Sequence, residues 1–288
     1  MAADDTALEA LLRRDRGIVV ASLAGVTVLA WIYLFVLAET MASMENPNGW
    51  QSFMLLMPMG RWGFWEYALG FAMWALMMVG MMIPSAAPMI MLYARVARRV
   101  PSHNAPSDST PPRSKPPRNE PPRTEPLACT AAFAAGYLLI WGVFSLIAAA
   151  FQGVLVDLAL VTATMTSAST MLAGAVFIVT GFYQWMPLKR ACLNHCQSPI
   201  WFLSRHWRPG RSGALRMGIE HGTYCVGCCW ALMTVLFAVG IMNLAWVAAI
   251  AAFVLVEKTA SFGTWGQRIA GVLLVALGVL TLTGSIAF

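Results

Sequence analysis

Charge is scarce in this chain. Only 11% of its 288 residues are Asp, Glu, Lys or Arg, while 59% are hydrophobic, and the mean hydropathy is +0.66. A soluble globular domain carries about a quarter charged residues, so the bulk of the chain is not of that class. No G-x-x-x-x-G-K-[ST] phosphate loop occurs, so nothing here resembles a nucleotide-hydrolysing domain. No nucleic-acid reading motif is present either. Alternating ten-residue apolar segments are missing as well, which excludes a membrane β-barrel.

What is present is a series of long apolar runs. Crossing the hydrocarbon core takes about 20 apolar residues in a helix. Seven stretches approach that length: 17–38, 64–94, 128–150, 169–187, 219–241, 243–257 and 268–287. A lipid-facing backbone must satisfy its own hydrogen bonds, so these stretches predict helices. The expected fold is therefore all-α, a polytopic helical membrane protein. The first apolar core is longer than a secretory h-region and no A-x-A site follows it, which predicts a retained anchor.

Basic residues set the expected orientation. With the N-terminus inside, eighteen of the nineteen lysines and arginines fall on the cytoplasmic side, and only Arg61 lies outside. The expected topology is thus about seven spans, N-in and C-out. The pI near 9.2 becomes a topological signal that calls for no nucleic-acid partner. Four sections follow: a cytoplasmic segment 1–16, a two-span part 17–94 with a methionine-rich outer loop, a linker 101–126, and a five-span part 127–288. The linker holds nine prolines and repeats Pro-Pro-Arg three times. Such a segment favours extended polyproline conformations and buries no core, so it reads as a tether.

The chemistry lies in the cysteines. Five of the six fall in two clusters, each beside a histidine. The first runs Cys192-Leu193-Asn194-His195-Cys196 and the second His221-Gly222-Thr223-Tyr224-Cys225-Val226-Gly227-Cys228-Cys229. Thiolate and imidazole are the donors that soft and borderline metals take. At 100° per residue, His221, Cys225 and Cys228 share one helical face, with Cys229 slightly further round. Neither cluster alone closes a four-coordinate site, so the spacing predicts that Cys192, His195 and Cys196 join His221, Cys225, Cys228 and Cys229. Buried cysteine also serves as a small hydrophobe, and isolated Cys129 reads that way. Expected on the cytoplasmic side, where thiols stay reduced, the paired cysteines point to metal more than to disulfide exchange. Tyr183, Gln184 and Lys189 lead into the first pair and are candidates to orient it.

Nineteen methionines narrow the choice of metal. Met41, Met44, Met54, Met57 and Met59 crowd the first outer loop, and Met73, Met77 and Met81 form an i, i+4, i+8 stripe on the second span. Met78 and Met82 flank the stripe. Thioethers hold Cu(I) by soft donation and have little claim on zinc or magnesium, although methionine is also ordinary filler in apolar helices. The preferred ion is copper(I), with zinc and iron left open. Pro84 and Pro88 in the same span predict a kink or break near its inner half.

Three strings carry a family likeness: Met81-Met82-Ile83-Pro84-Ser85, Tyr183-Gln184-Trp185-Met186-Pro187-Leu188-Lys189 with Cys192 and Cys196, and Gly222 through Trp230 with Met242-Asn243. They resemble a bacterial domain-of-unknown-function family whose members are described as predicted metal-binding integral membrane proteins. The resemblance covers roughly 60–260 and implies metal binding, without settling the metal or a direction of movement. The proline-rich insert is not part of that pattern.

The expected function is an inner-membrane protein that binds a soft transition metal and transports or delivers it. Two alternatives stand beside it: a membrane oxidoreductase or electron-transfer subunit using cysteine-ligated metal or dithiols, and an assembly factor for a membrane metalloenzyme. No catalytic residue is assigned, and enzyme activity is not the favoured reading. The expected partners are membrane lipid, the metal ion and other subunits of a membrane complex.

Overall fold

The computed structural model describes residues 2–43, 62–99, 125–160, 169–260 and 265–286. Among them are ten helices and no strand: α1 Ala2–Ser43, α2 Phe64–Arg99, α3 Glu125–Asp157, α4 Thr170–Trp185, α5 Pro187–Gln197, α6 Pro199–His206, α7 Gly210–Thr234, α8 Leu236–Val239, α9 Leu244–Thr259 and α10 Trp265–Leu282. The outer-loop methionines Met44, Met54, Met57 and Met59 lie outside the described residues, as do Arg61 and linker positions 101–124.

Five helical segments are long and apolar enough to cross a membrane: Gly17–Thr40, Phe64–Arg98, Pro126–Asp157, Gly210–Val239 and Trp265–Leu282. The bent pair α4 and α5 makes a sixth if taken as one span. The seventh expected stretch is α9. Its 16 residues rise about 24 Å at 1.5 Å each, less than the roughly 30 Å of a hydrocarbon core. The all-helical class therefore stands, with five or six helical segments long and apolar enough to cross a membrane among the described residues.

Three helices form the centre. The membrane-length windows of α2 and α7–α8 are 56% and 67% buried, against 17% for α1 and 22% for α10. The outer helices turn Leu29, Phe35, Val36, Val272 and Leu273 outward, as expected where the solvent is lipid. Small residues let the inner helices touch. A Cβ added at Gly218 of α7 would land on the Phe133 carbonyl oxygen of α3. Gly181 and Gly271 do the same for α4 and α10, where an added Cβ would stand 2.8 and 3.0 Å, respectively, from the facing carbonyl oxygen.

Two departures from expectation have identifiable causes. Pro84 and Pro88 do not break α2, which runs on as one helix. A proline at 84 frees the Gly80 carbonyl four residues earlier, and the Trp31 indole of α1 donates to that oxygen at 3.2 Å. Helix α7 begins at Gly210, well before the expected 219. Its polar first turns are held by Arg216 and Arg208, both paired with Glu220, so Cys225 falls midway along the helix and not near one end. The stretch 187–206, whose conformation the cysteine spacing left open, forms two helices separated at Ser198. Pro187 forbids the helical conformation at Met186, which sits extended at φ −66°, ψ 140°. The chain turns by 65° there, and α5 is delivered against α7.

Candidate metal centre

The second cluster is the better buried. His221, Cys225, Cys228 and Cys229 of α7 are all inside the protein. Cys228 and Cys229 donate their thiols to the Cys225 carbonyl oxygen at 3.1 and 2.8 Å, one turn back. Cys225 itself is approached by two side chains from other helices. The Lys258 ammonium of α9 donates to its sulfur at 2.8 Å, and the Tyr137 hydroxyl of α3 lies 3.1 Å from it.

The first cluster arrives on α5. Cys192 nests in the gap at Gly227, where an added Cβ would meet its sulfur at 2.7 Å. Cys196 comes into hydrogen-bonding range of Cys228. The bend at Pro187 thus brings both pairs of thiols together. His195 goes elsewhere: its Nδ1 lies 2.8 Å from the Ala191 carbonyl, and its ring stacks on Tyr224 at 4.2 Å. His221 is walled in by Phe133, Tyr137 and Phe202, and its Nδ1 has no hydrogen-bond partner.

Among the described residues no three His, Cys, Asp or Glu side chains converge as a formed metal site. What converges is a set of two sulfur pairs, in which two thiols are turned back onto the helix. An orphaned buried imidazole nitrogen sits one turn away, a donor lacking a partner in a place where that is costly. This donor set suits a soft ion that accepts few ligands.

The neighbouring groups tie the helices that carry it. The Tyr183 hydroxyl donates to the Gly227 carbonyl, pinning α4 to α7 opposite Cys192. Gln184 accepts from the Lys189 ammonium. Lys189 is completely buried and pairs with Glu257 of α9 at 2.7 Å. Gln197 donates to the Glu257 backbone carbonyl at 2.7 Å, fixing the far end of α5 to the same turn.

The methionine stripe faces inward. Met73, Met77, Met78, Met81 and Met82 are buried in one continuous cluster with Cys225, Cys228 and Cys229. Tyr137 bridges the two groups: besides Cys225, its hydroxyl contacts the Met82 carbonyl, donating at 3.2 Å. Ser85 donates to the same carbonyl at 2.9 Å and accepts from Lys258 at 3.1 Å.

Sequence reasoning missed Tyr137, Ser85 and Lys258. Ser85 stood in a quoted string without a role, and Lys258 was counted only as a topological charge. The available signal was position: Glu257 and Lys258 interrupt the end of an otherwise apolar helix, and intramembrane charges mark function by default.

Residues 71–281 match the family described as PpoB2, copper chaperone. No curated protein and no solved structure matches the chain. The match spans most of the sequence and takes in both cysteine clusters and the methionine stripe, so the chain belongs to this copper chaperone family.

Proposed function

We propose that this protein is a multi-pass inner-membrane chaperone that takes up Cu(I) as cargo on its cysteine pairs and hands it on. The observation that carries the reading is the meeting of Cys192 and Cys196 with Cys225 and Cys228 beside the unpaired His221 nitrogen. Thiolates select Cu(I) among the available ions, and a d¹⁰ monovalent ion imposes little geometry on them. The thiols of Cys228 and Cys229 need only swing off the Cys225 carbonyl to become ligands. The buried methionines of α2 adjoin the same cluster and supply polarizable sulfur for passage. Zinc fits less well, because a closed zinc site takes four donors.

Anaerobic titration of the purified, reduced protein with Cu(I) against a chromophoric chelator tests this reading. The Cys192→Ser/Cys196→Ser and Cys225→Ser/Cys228→Ser variants are each expected to lose most of the binding. Retention of half the metal by each would show two independent sites, and no binding by the parent would end the copper reading.

The orientation is proposed as N-in and C-out with seven crossings, α9 included, which keeps eighteen of nineteen basic residues on one side. A reporter after Phe288 is expected to read periplasmic, and one within 101–126 cytoplasmic. Agreement between the two would refute the span count.

A further inference from the structure

Several charges around the cysteine clusters are ion-paired among the described residues. Lys189 and Glu257 cancel at 2.7 Å. Arg208 and Arg216 are taken by Glu220. None of the ion pairs formed among the described residues engages Lys258. Its ammonium is instead held by the Ser85 hydroxyl and the Cys225 sulfur, and the sulfur's other close neighbour is the neutral phenol of Tyr137 at 3.1 Å, whose proton goes to the Met82 carbonyl. A cation placed this way does more than fill space. It adds one permanent positive charge directly on the sulfur that anchors the site.

We propose that Lys258 sets the valence of the cargo, making the centre selective for a monovalent soft cation over a divalent one. The inference rests on the copper-binding reading above. Its physics is charge neutrality in a region where water does not compensate. Two thiolates and one Cu(I) carry a net single negative charge, which the Lys258 ammonium cancels. Two thiolates and one Zn(II) are already neutral, so the same ammonium leaves an uncompensated positive charge, and burying such a charge is expensive. The count of two takes one thiolate from each sulfur pair, in keeping with the absence of three converged ligating side chains among the described residues. Tyr137 and Ser85 fix the arrangement without altering its charge: both donate to the Met82 carbonyl, the first lying against the sulfur and the second accepting from the ammonium. Ordinary topological lysines need no such cradle. Lys258 has one from two other helices, α2 and α7.

The test compares Cu(I) and Zn(II) affinities of the parent with those of Lys258→Gln, Lys258→Arg and Ser85→Asp, all as full-length reduced protein in detergent under anaerobic conditions. Truncating one member of a buried charge pair commonly costs at least tenfold in binding. Lys258→Gln is accordingly expected to lower the Cu(I)-to-Zn(II) affinity ratio by about tenfold or more, while Lys258→Arg keeps it near the parent value. Ser85→Asp places a carboxylate against the ammonium and is expected to move the ratio in the same direction, which keeps the test decisive if the glutamine variant fails to fold. An unchanged ratio in a folded Lys258→Gln or Ser85→Asp protein overturns the inference. So does a ratio lowered equally by Lys258→Arg, because charge would then not be the cause. A parent protein that binds no Cu(I) would defeat the copper reading itself, a result distinct from either of these.

Discussion

Lys189→Met is expected to cost the fold about 3–5 kcal/mol, the usual price of stripping one partner from a buried ion pair. Lys189 has no exposed side-chain surface and Glu257 only 6%. Removing the ammonium leaves the carboxylate buried with no cation on it, while Gln184 loses the donor to its carbonyl oxygen. Reversible denaturation in mixed micelles reads the loss as a lower midpoint. The double variant Lys189→Met/Glu257→Leu removes both charges at once and is expected to recover most of the stability, since apolar replacement of a whole buried pair is often neutral or better. A single variant as stable as the parent would show that water reaches Glu257. The pair would then be no part of the scaffold joining α5 to α9.

That scaffold explains how two cysteine clusters separated by nearly thirty residues of chain come to share one place. The bend at Met186 and Pro187 sends α5 across α7, and the Lys189–Glu257 pair with the Gln197 contact holds it there against α9. Glu257 and Lys258 are consecutive, so one turn of α9 both anchors the first cluster and contacts the second. Gly227 then admits the Cys192 sulfur. Each of these is a local consequence of residue type: a proline that cannot continue a helix, a glycine without a Cβ, and a charged pair that must find itself once buried.

The helical class and the copper-family chemistry were legible in the sequence because they depend on short-range pattern. Apolar runs of about 20 residues announce helices, and cysteines at C-x3-C and C-x2-C-C spacing announce a soft-metal centre. The misreadings all involve a partner that the hydropathy of the segment alone does not show. Pro84 looks like a helix breaker until Trp31 supplies a donor to the freed carbonyl of Gly80. Residues 210–218 look too polar for a span until Arg216 and Arg208 are seen closing on Glu220. Lys258 looks like a loop charge until Ser85 and Cys225, 173 and 33 positions away, are found holding it. Hydropathy measures what a residue costs in lipid when alone; it cannot register a compensation that arrives from another helix.

The Met73→Leu/Met77→Leu/Met81→Leu variant is expected to abolish most copper movement while sparing both fold and cysteine-held metal. The three side chains are buried at 5%, 0% and 1% exposure, and leucine matches methionine closely in size and polarity. Such swaps usually cost less than about 1.5 kcal/mol, so the helix and its packing should persist. What disappears is every thioether of the i, i+4, i+8 stripe, leaving only the flanking Met78 and Met82 as soft donors on that part of the helix. A Cu(I) ion leaving the thiolates would then lack a continuous run of ligands, and a buried cation without ligands is strongly disfavoured. Release of Cu(I) from loaded protein in vesicles, followed by a chelator placed on each side, separates holding from passing. The parent is expected to exchange its copper and the triple variant to retain it, with equal amounts bound at the start. Equal release from both proteins would reduce the stripe to packing. The route out of the cysteines would then have to run through α5, where Cys192 and Cys196 stand only half-buried.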